Sequence, residues 1–331
     1  MAEPWLIIGQ GLAGTLLAWT CERAGVPFEL VDAGHGGAAS RVAAGLITPV
    51  TGRRWVKTWQ IDAWREPAMT VYRDLEHRLG GRWVRPMRVW RRFRDEAERD
   101  LVVAKVRDGA LAPYVHEVRA DGAWIDGAVQ VDTAGLIAAA RNRWREEGRL
   151  RERRVEPTQA RAEGRSVILC GGAAAGAAFA YVPWETAWGE VLAIEAGPLA
   201  PDVILHAGHW LLPGDADRAR VGATYERGPY DGDRPVSLEA RETLVASAAT
   251  WLGRLPAVTG QDGGWRVTTP DRRPCIGWHC DDARLGLLSG LGSKGTLWAP
   301  MLAQQWVTHL TNGAAFEPEV DVARFARGAG R

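Results

Sequence analysis

Hydrophobic and polar positions along the chain follow two different periods. Residues 4 to 32, "PWLIIGQGLAGTLLAWTCERAGVPFELVD", open with a short apolar run and pass through glycines. Leu16, Leu17 and Trp19 then recur at helical spacing, and the stretch closes on Phe28, Leu30 and Val31. That order predicts strand, glycine turn, helix and strand, with Gly25 ending the helix. In "QIDAWREPAMTVYRDLEHRLGG" apolar side chains at 61, 64, 68, 71, 75 and 79 mark one face of a long helix stopped by Gly80 and Gly81. "DTAGLIAAARNRWREEG" and "SLEARETLVASAATWLG" predict further helices capped by Asp132 or Thr133 and by Ser237. Between these two, "EVLAIEAG", "VILHAGHWLLPG" and "ARVGATYER" read as short apolar strands joined by turn residues, which predicts an antiparallel sheet. No repeat or long linker separates the two architectures, so two domains are expected to interleave in sequence.

The glycines after the first strand carry the first chemistry. Gly9, Gly11 and Gly14 form G-x-G-x-x-G between strand and helix, and Asp32 closes the second strand 18 residues after Gly14. This is the context a dinucleotide-binding βαβ unit requires. Gly9 and Gly11 let backbone approach a pyrophosphate at the helix N-terminus, with Leu12 and Ala13 at that end. Gly14 lets helix pack on strand, and Asp32 with Ala33 stands where a ribose hydroxyl can be held. A second apolar strand, "SVILCGG", ends on Gly171 and Gly172 and has the form of a strand end that faces a bound dinucleotide. Near the C-terminus "SGLGSKGTLWAP" gathers Gly290, Gly292 and Gly295 before an apolar run. The order Lys294, Gly295 is the reverse of a phosphate loop. Thirty-eight of the 41 basic residues are arginine, so Lys294 is one of three lysines and stands out in that loop.

Bulk properties narrow the partners. With 331 residues and 46% apolar content the chain suits one large or two intertwined domains. Lys and Arg number 41 against 40 Asp and Glu, a net charge of +1, which gives no pull toward nucleic acid or an anionic membrane. The arginine runs "RWVRPMRVWRRFR" and "RNRWREEGRLRERR" are interleaved with acids or amphipathic, and read as solvated faces. Four scattered cysteines, Cys21, Cys170, Cys275 and Cys280, make neither a disulfide framework nor a zinc spacing, and no metal is expected. No basic leader precedes "WLIIG" and no apolar run approaches the length of a membrane span, so a soluble cytoplasmic protein is expected.

Taken together, the motifs resemble the flavoproteins of the D-amino-acid oxidase and glycine oxidase superfamily. The likeness runs over nearly the whole chain: the glycine fingerprint, "ASRVAAGLITP", "GAWID", "WGEVLAI", "LLPG" before "VGATYE", "GWRVTTPDRRPCIG" and "GLGSKGTLWAP". The sequence is similar to a small branch of FAD-dependent oxidoreductases, and also to the flavin domain of the tRNA wobble-uridine methylaminomethyl enzyme. The resemblance implies an α/β fold in which a Rossmann-like FAD-binding domain of the glutathione-reductase type is interleaved with an antiparallel α+β substrate domain. Residues 1–47, 128–185 and 264–331 would form the first, and 48–127 and 186–263 the second. It implies non-covalent FAD, since Gly264 stands where some sarcosine-oxidising relatives attach flavin through cysteine. To the cofactor-lining residues it adds Ser40, Arg41, Ala43, Ala44 and Gly45, then Val155, Gly189, Ser293 and Thr296.

In these relatives the C-terminal glycine loop faces the pyrimidine end of the flavin, so Lys294 and the helix N-terminus would stabilise negative charge there. Pro300 suggests a helix starting at Thr296 or Leu297. Arg266 matches the arginine that holds a substrate carboxylate, with pairing to Asp271 as its structural alternative. Trp210 replaces a pocket tyrosine, and Ser293 replaces a second carboxylate-binding arginine, a departure from a glycine-like site. The implied activity is oxidation of a C–N bond in an amino acid or amine, by hydride transfer to flavin N5 and hydrolysis of the imine, with oxygen or another acceptor. Two alternatives stand beside it: a tRNA carboxymethylaminomethyl-uridine oxidoreductase, and a flavin-binding subunit without turnover of its own.

Overall fold

Two sheets organise the chain, and their strand periods explain why. The computed structural model describes residues 3–34 and 38–326. In the first sheet, runs that are apolar on both sides give a parallel array ordered Asp282–Ser289, Val167–Leu169, Trp5–Ile8, Phe28–Val31 and Leu150–Arg151, with Cys275–His279 added antiparallel at one edge. The helix Leu12–Arg23 leaves Trp5–Ile8 through the glycine turn and is buried from Leu12 to Cys21. It packs on the C-terminal helix Gly295–Asn312. Gly25 takes φ 68° and turns the chain into the second strand, as the sequence predicts.

The C-terminal helix begins at Gly295, with Lys294 at its N-cap, so Pro300 falls in the second turn rather than the first. A proline there leaves the carbonyl four residues earlier, that of Thr296, without its helical donor. The buried Tyr72 hydroxyl supplies one, donating to the Thr296 oxygen at 2.8 Å. Tyr72 belongs to the long helix Ile61–Leu79, which ends on Gly80 at φ 69°. Asp132 and Ser237 cap their helices as expected, accepting from the Gly135 and Ala240 amides.

The second sheet has nine strands. Its order is Glu226–Arg227, Glu185–Glu195, Arg218–Gly222, His209–Pro213, Val203–Ala207, Val84–Arg92, Gly122–Val131 and Leu46–Ile47, and Ala257–Thr268 also pairs with Glu185–Glu195. Every neighbouring pair is antiparallel except Val203–Ala207 with Val84–Arg92, so the sheet is mixed. Alternation sends Leu192, Ile194, Leu211, Ala219 and Val221 to a core with Leu244 and Ala248 of helix Leu238–Leu252. The opposite face carries Val89, Arg91, Ile204, His206, Trp210, Gly189 and Val191, and looks across a cavity toward the first sheet. No helix among the described residues is long and apolar enough to cross a membrane.

Candidate functional site

A cavity of about 1490 Å³ runs from the glycine turn of the first sheet to the facing side of the second. It is larger than the roughly 300–1,000 Å³ of a typical small-molecule pocket, and has room for a cofactor and a second ligand. Of the residues singled out from sequence, Gly9, Gly11, Leu12, Ala13, Asp32, Ala33, Ser40, Arg41, Ala43, Ala44, Gly45, Val155, Gly171, Gly172, Gly189, Trp210, Arg266, Gly290, Gly292, Ser293, Lys294, Gly295 and Thr296 all line it. Gly14 does not. A Cβ there would stand 1.9 Å from the Gly9 carbonyl oxygen, so Gly14 is the point where helix meets strand.

At the fingerprint, Gly9 has φ 103°, and a Cβ on it would press to 2.9 Å on the backbone of Cys170 and Gly171. The two strand ends therefore meet only through glycine. Ser40 Oγ accepts from the Leu12 amide at 3.0 Å and satisfies one of the helix's first donors. Asp32 accepts from the Gln10 and Gly34 amides, both at 2.7 Å, and from Arg141 at 3.1 Å. Burial raises its pKa, but those two amides and the Arg141 guanidinium outweigh that and hold the carboxyl below its ordinary value. Arg141, which also donates to Gln10 Oε1 at 2.7 Å, was not visible from sequence because it lies in the middle of a solvated-looking helix.

These features fit FAD. The glycines leave open backbone where a diphosphate would meet a helix N-terminus, an ionised carboxylate stands one strand away, and the Gly290–Thr296 segment lines the same cavity. Gly290 and Gly292 take φ 74° and 51°, and the Gly292 amide donates to Val267 O at 2.9 Å, tying this loop to the strand that carries Arg266. Cys275 is buried, and burial pushes its thiol up to about 12, so it behaves as a small hydrophobe rather than a nucleophile.

Arg266 points into the cavity and is not paired with Asp271, which binds Arg324 at 3.0 Å and Thr269 at 2.6 Å instead. Its guanidinium lies flat over Gly189, where a Cβ would come within 2.0 Å of Nη1. Its one protein hydrogen bond among the described residues goes to the Thr224 carbonyl at 3.1 Å, and the Tyr225 ring is 5.6 Å away. Burial draws its pKa below that of an ordinary arginine, and no carboxylate offsets this. Gly189 thus lines the cavity by making space for Arg266.

Across the same sheet face runs a row that sequence reading missed apart from Trp210. Arg91 is in register with His206, His206 with Trp210, and Trp210 with Gly222, whose missing Cβ leaves room for the indole. Arg91 is held by Glu98 at 3.1 Å, by the Gly52 carbonyl at 2.9 Å and by the Trp55 face at 4.1 Å. Lys294 reaches this row from the glycine loop. Burial, with Arg91 adding to it, draws its pKa down to about 8. His206 falls to about 4, through burial first and then the charges of Arg91, His209 and Lys294, so its imidazole is neutral at pH 7. The usable signal for His206 was its place four residues before Trp210 across a tight turn, which makes the two cross-strand partners.

Comparison with known proteins agrees with this geometry. The bifunctional tRNA 5-methylaminomethyl-2-thiouridine biosynthesis protein of Maricaulis maris is 29% identical over 94% of this chain, which spans about half (52%) of that protein's length. Among solved structures, iminodiacetate oxidase from Chelativorans sp. BNC1 superposes with a TM-score of 0.76 at 20% identity, covering 95% of this chain and 96% of that one. Glycine oxidase from Geobacillus kaustophilus gives 0.74 at 21%, covering 97% and 96%. The profile of the FAD-dependent oxidoreductase family typified by D-amino-acid oxidase matches residues 5–310, and the chain belongs to that family.

Proposed function

We propose that the protein oxidises the C–N bond of an amino acid or related amine bearing a carboxylate, using non-covalent FAD. The observation that carries this reading is Arg266, a half-buried cation facing the cofactor cavity with one backbone partner and no counter-charge among the described residues. A buried charge without a partner is costly, and a carboxylate accepting a forked pair of bonds from the guanidinium removes that cost.

Bound FAD supplies a hydride acceptor, and the rest follows from this chain's residues. Arg266, backed by Gly189 and fixed by the Thr224 carbonyl, orients the substrate by its carboxylate. The Trp210 indole limits the width beside it. Lys294, at the N-terminus of the helix Gly295–Asn312, places positive charge at the glycine-loop end, where the helix dipole adds to it. A neutral amine can then release hydride from its α-carbon as its lone pair forms the C=N bond, and water hydrolyses the imine. No nucleophile or paired carboxylates are required. The division into interleaved domains with boundaries near 48, 128, 186 and 264 belongs to the same proposal, with the cavity between them.

The test is a panel of D-amino acids, N-methyl and N-carboxymethyl amino acids and secondary amines, assayed with oxygen and with an artificial dye. Turnover of a carboxylate-bearing amine supports the reading. A flavin left oxidised by every carboxylate-bearing amine of the panel would remove it. A second reading, oxidation of a carboxymethylaminomethyl group on tRNA uridine, is favoured by the Maricaulis maris relative covering 94% of this chain. It gains if modified tRNA alone is oxidised.

A further inference from the structure

The substrate end of the cavity holds more positive charge than one carboxylate needs. Arg266 lies over Gly189, and three strands away the charges of Arg91 and Lys294 act on the neutral imidazole of His206. Among the described residues four carboxylates line the cavity, and none pairs with Arg266 or Lys294. Asp32 is bound at the fingerprint, Asp282 pairs with Arg161 near Glu156, and Asp233 sits in an exposed turn. Glu98, behind Arg91, already accepts from Arg91, Arg94 and Trp55. Among the described residues the Lys294 ammonium has no acidic neighbour acting on it, and His206 Nδ1 is buried without a hydrogen-bond partner. A polar group left unpartnered in a cavity is costly, so Lys294 and His206 are set to meet a ligand group that the described residues do not provide.

The spacing sets what that acceptor is. The Arg266 guanidinium lies over Gly189 on strand Glu185–Glu195, and His206 lies on Val203–Ala207, three strands away in the sheet order. At about 4.8 Å per strand this separates Arg266 from His206 by roughly 10–14 Å, because the Arg266 side chain leans inward toward Thr224. The Trp210 ring fills the floor between them. Two acid groups joined by a chain of a few atoms, each accepting from one end, bridge that span.

We propose that Lys294 and His206 form a second anion subsite facing Arg266, and that the amine oxidised here carries two acid groups, one on each side of its nitrogen. Arg91 contributes positive potential to this subsite while remaining bound to Glu98. The inference rests on the amine-oxidising reading for its chemistry, but the subsite itself is tested without turnover.

The experiment titrates oxidised FAD-loaded protein with diglycolate, a dicarboxylate whose central oxygen cannot be oxidised as an amine, and with methoxyacetate, its monocarboxylate counterpart. Perturbation of the flavin spectrum reports binding. Diglycolate should bind at least tenfold more tightly, and both Lys294→Met and His206→Gln should reduce that advantage to near unity. Equal affinities in the unsubstituted protein would overturn the subsite, as would an advantage that survives both substitutions. If the selectivity is found but no amine is ever oxidised, the subsite stands and the amine reading fails. If amines are oxidised with no preference for two acid groups, the reverse holds.

Discussion

Gly189→Ala separates the placement of Arg266 from its charge. Gly189 pairs with Gly264 across the strands and has no left-handed φ, so alanine fits the backbone without strain. Its Cβ would stand 2.0 Å from Nη1 and 2.5 Å from Cζ of Arg266. Ordinary contact begins near 3.4 Å, so the guanidinium must retreat by about 1.4 Å, and the flexible arginine stem can absorb that without disturbing the sheet. A fork displaced this far keeps its charge but loses alignment with a carboxylate. Charge-assisted hydrogen bonds are worth about 1.5–3 kcal/mol, which predicts a 10- to 150-fold loss in affinity for a carboxylate ligand. The assay is spectral titration with methoxyacetate beside a measurement of FAD content and Tm. FAD content and fold should be retained. Undiminished methoxyacetate affinity would refute the reasoning, since the guanidinium could not then be the carboxylate's partner.

Further outcomes follow from the same geometry. Arg266→Lys should weaken methoxyacetate binding by about 2 kcal/mol, as a fork becomes a point charge, while FAD stays bound, checked by the same titration. Lys294→Met should lower the flavin's reduction potential and its affinity for sulfite, measured by dye equilibration and titration. The Lys294 pKa, lowered to about 8, gives a pH signature: diglycolate affinity should fall as pH rises through 8, and the fall should be absent in Lys294→Met. Its stability sign is opposite, because a lysine with a lowered folded pKa destabilises below that value and ceases to do so between about 8 and its ordinary value. Lys294→Met should therefore raise Tm at pH 7. Glu98→Ala strands Arg91 in the core and should cost about 3–5 kcal/mol in denaturant titration.

The fingerprint, the helix ends at Gly25 and Gly80, and the caps Asp132 and Ser237 were legible because each rests on local backbone chemistry. The C-terminal helix start was misplaced by one or two residues, because the answer lay 224 positions away, in the Tyr72 hydroxyl that makes Pro300 tolerable inside the helix. Arg91 escaped for a similar reason: only the one parallel strand pair of the sheet brings it beside His206, whose own hairpin with Trp210 was the local signal available. The 17 tryptophans had no reading in the sequence. Many prove to be core residues whose indole N–H is satisfied, as Trp55 is by Glu98, Trp306 by the Leu287 carbonyl and Trp144 by Glu22. Their pairing partners are likewise distant in sequence.

The central claim is that this cavity takes a hydride from the carbon next to an amine nitrogen. Its most direct test is anaerobic rapid mixing of the FAD-loaded protein with N-(carboxymethyl)glycine, ordinary and deuterated at its methylene carbons. Bleaching of the oxidised flavin, slower with the deuterated compound, is the predicted result. A flavin that stays oxidised with this and every other carboxylate-bearing amine, while the ligands still bind, would contradict it.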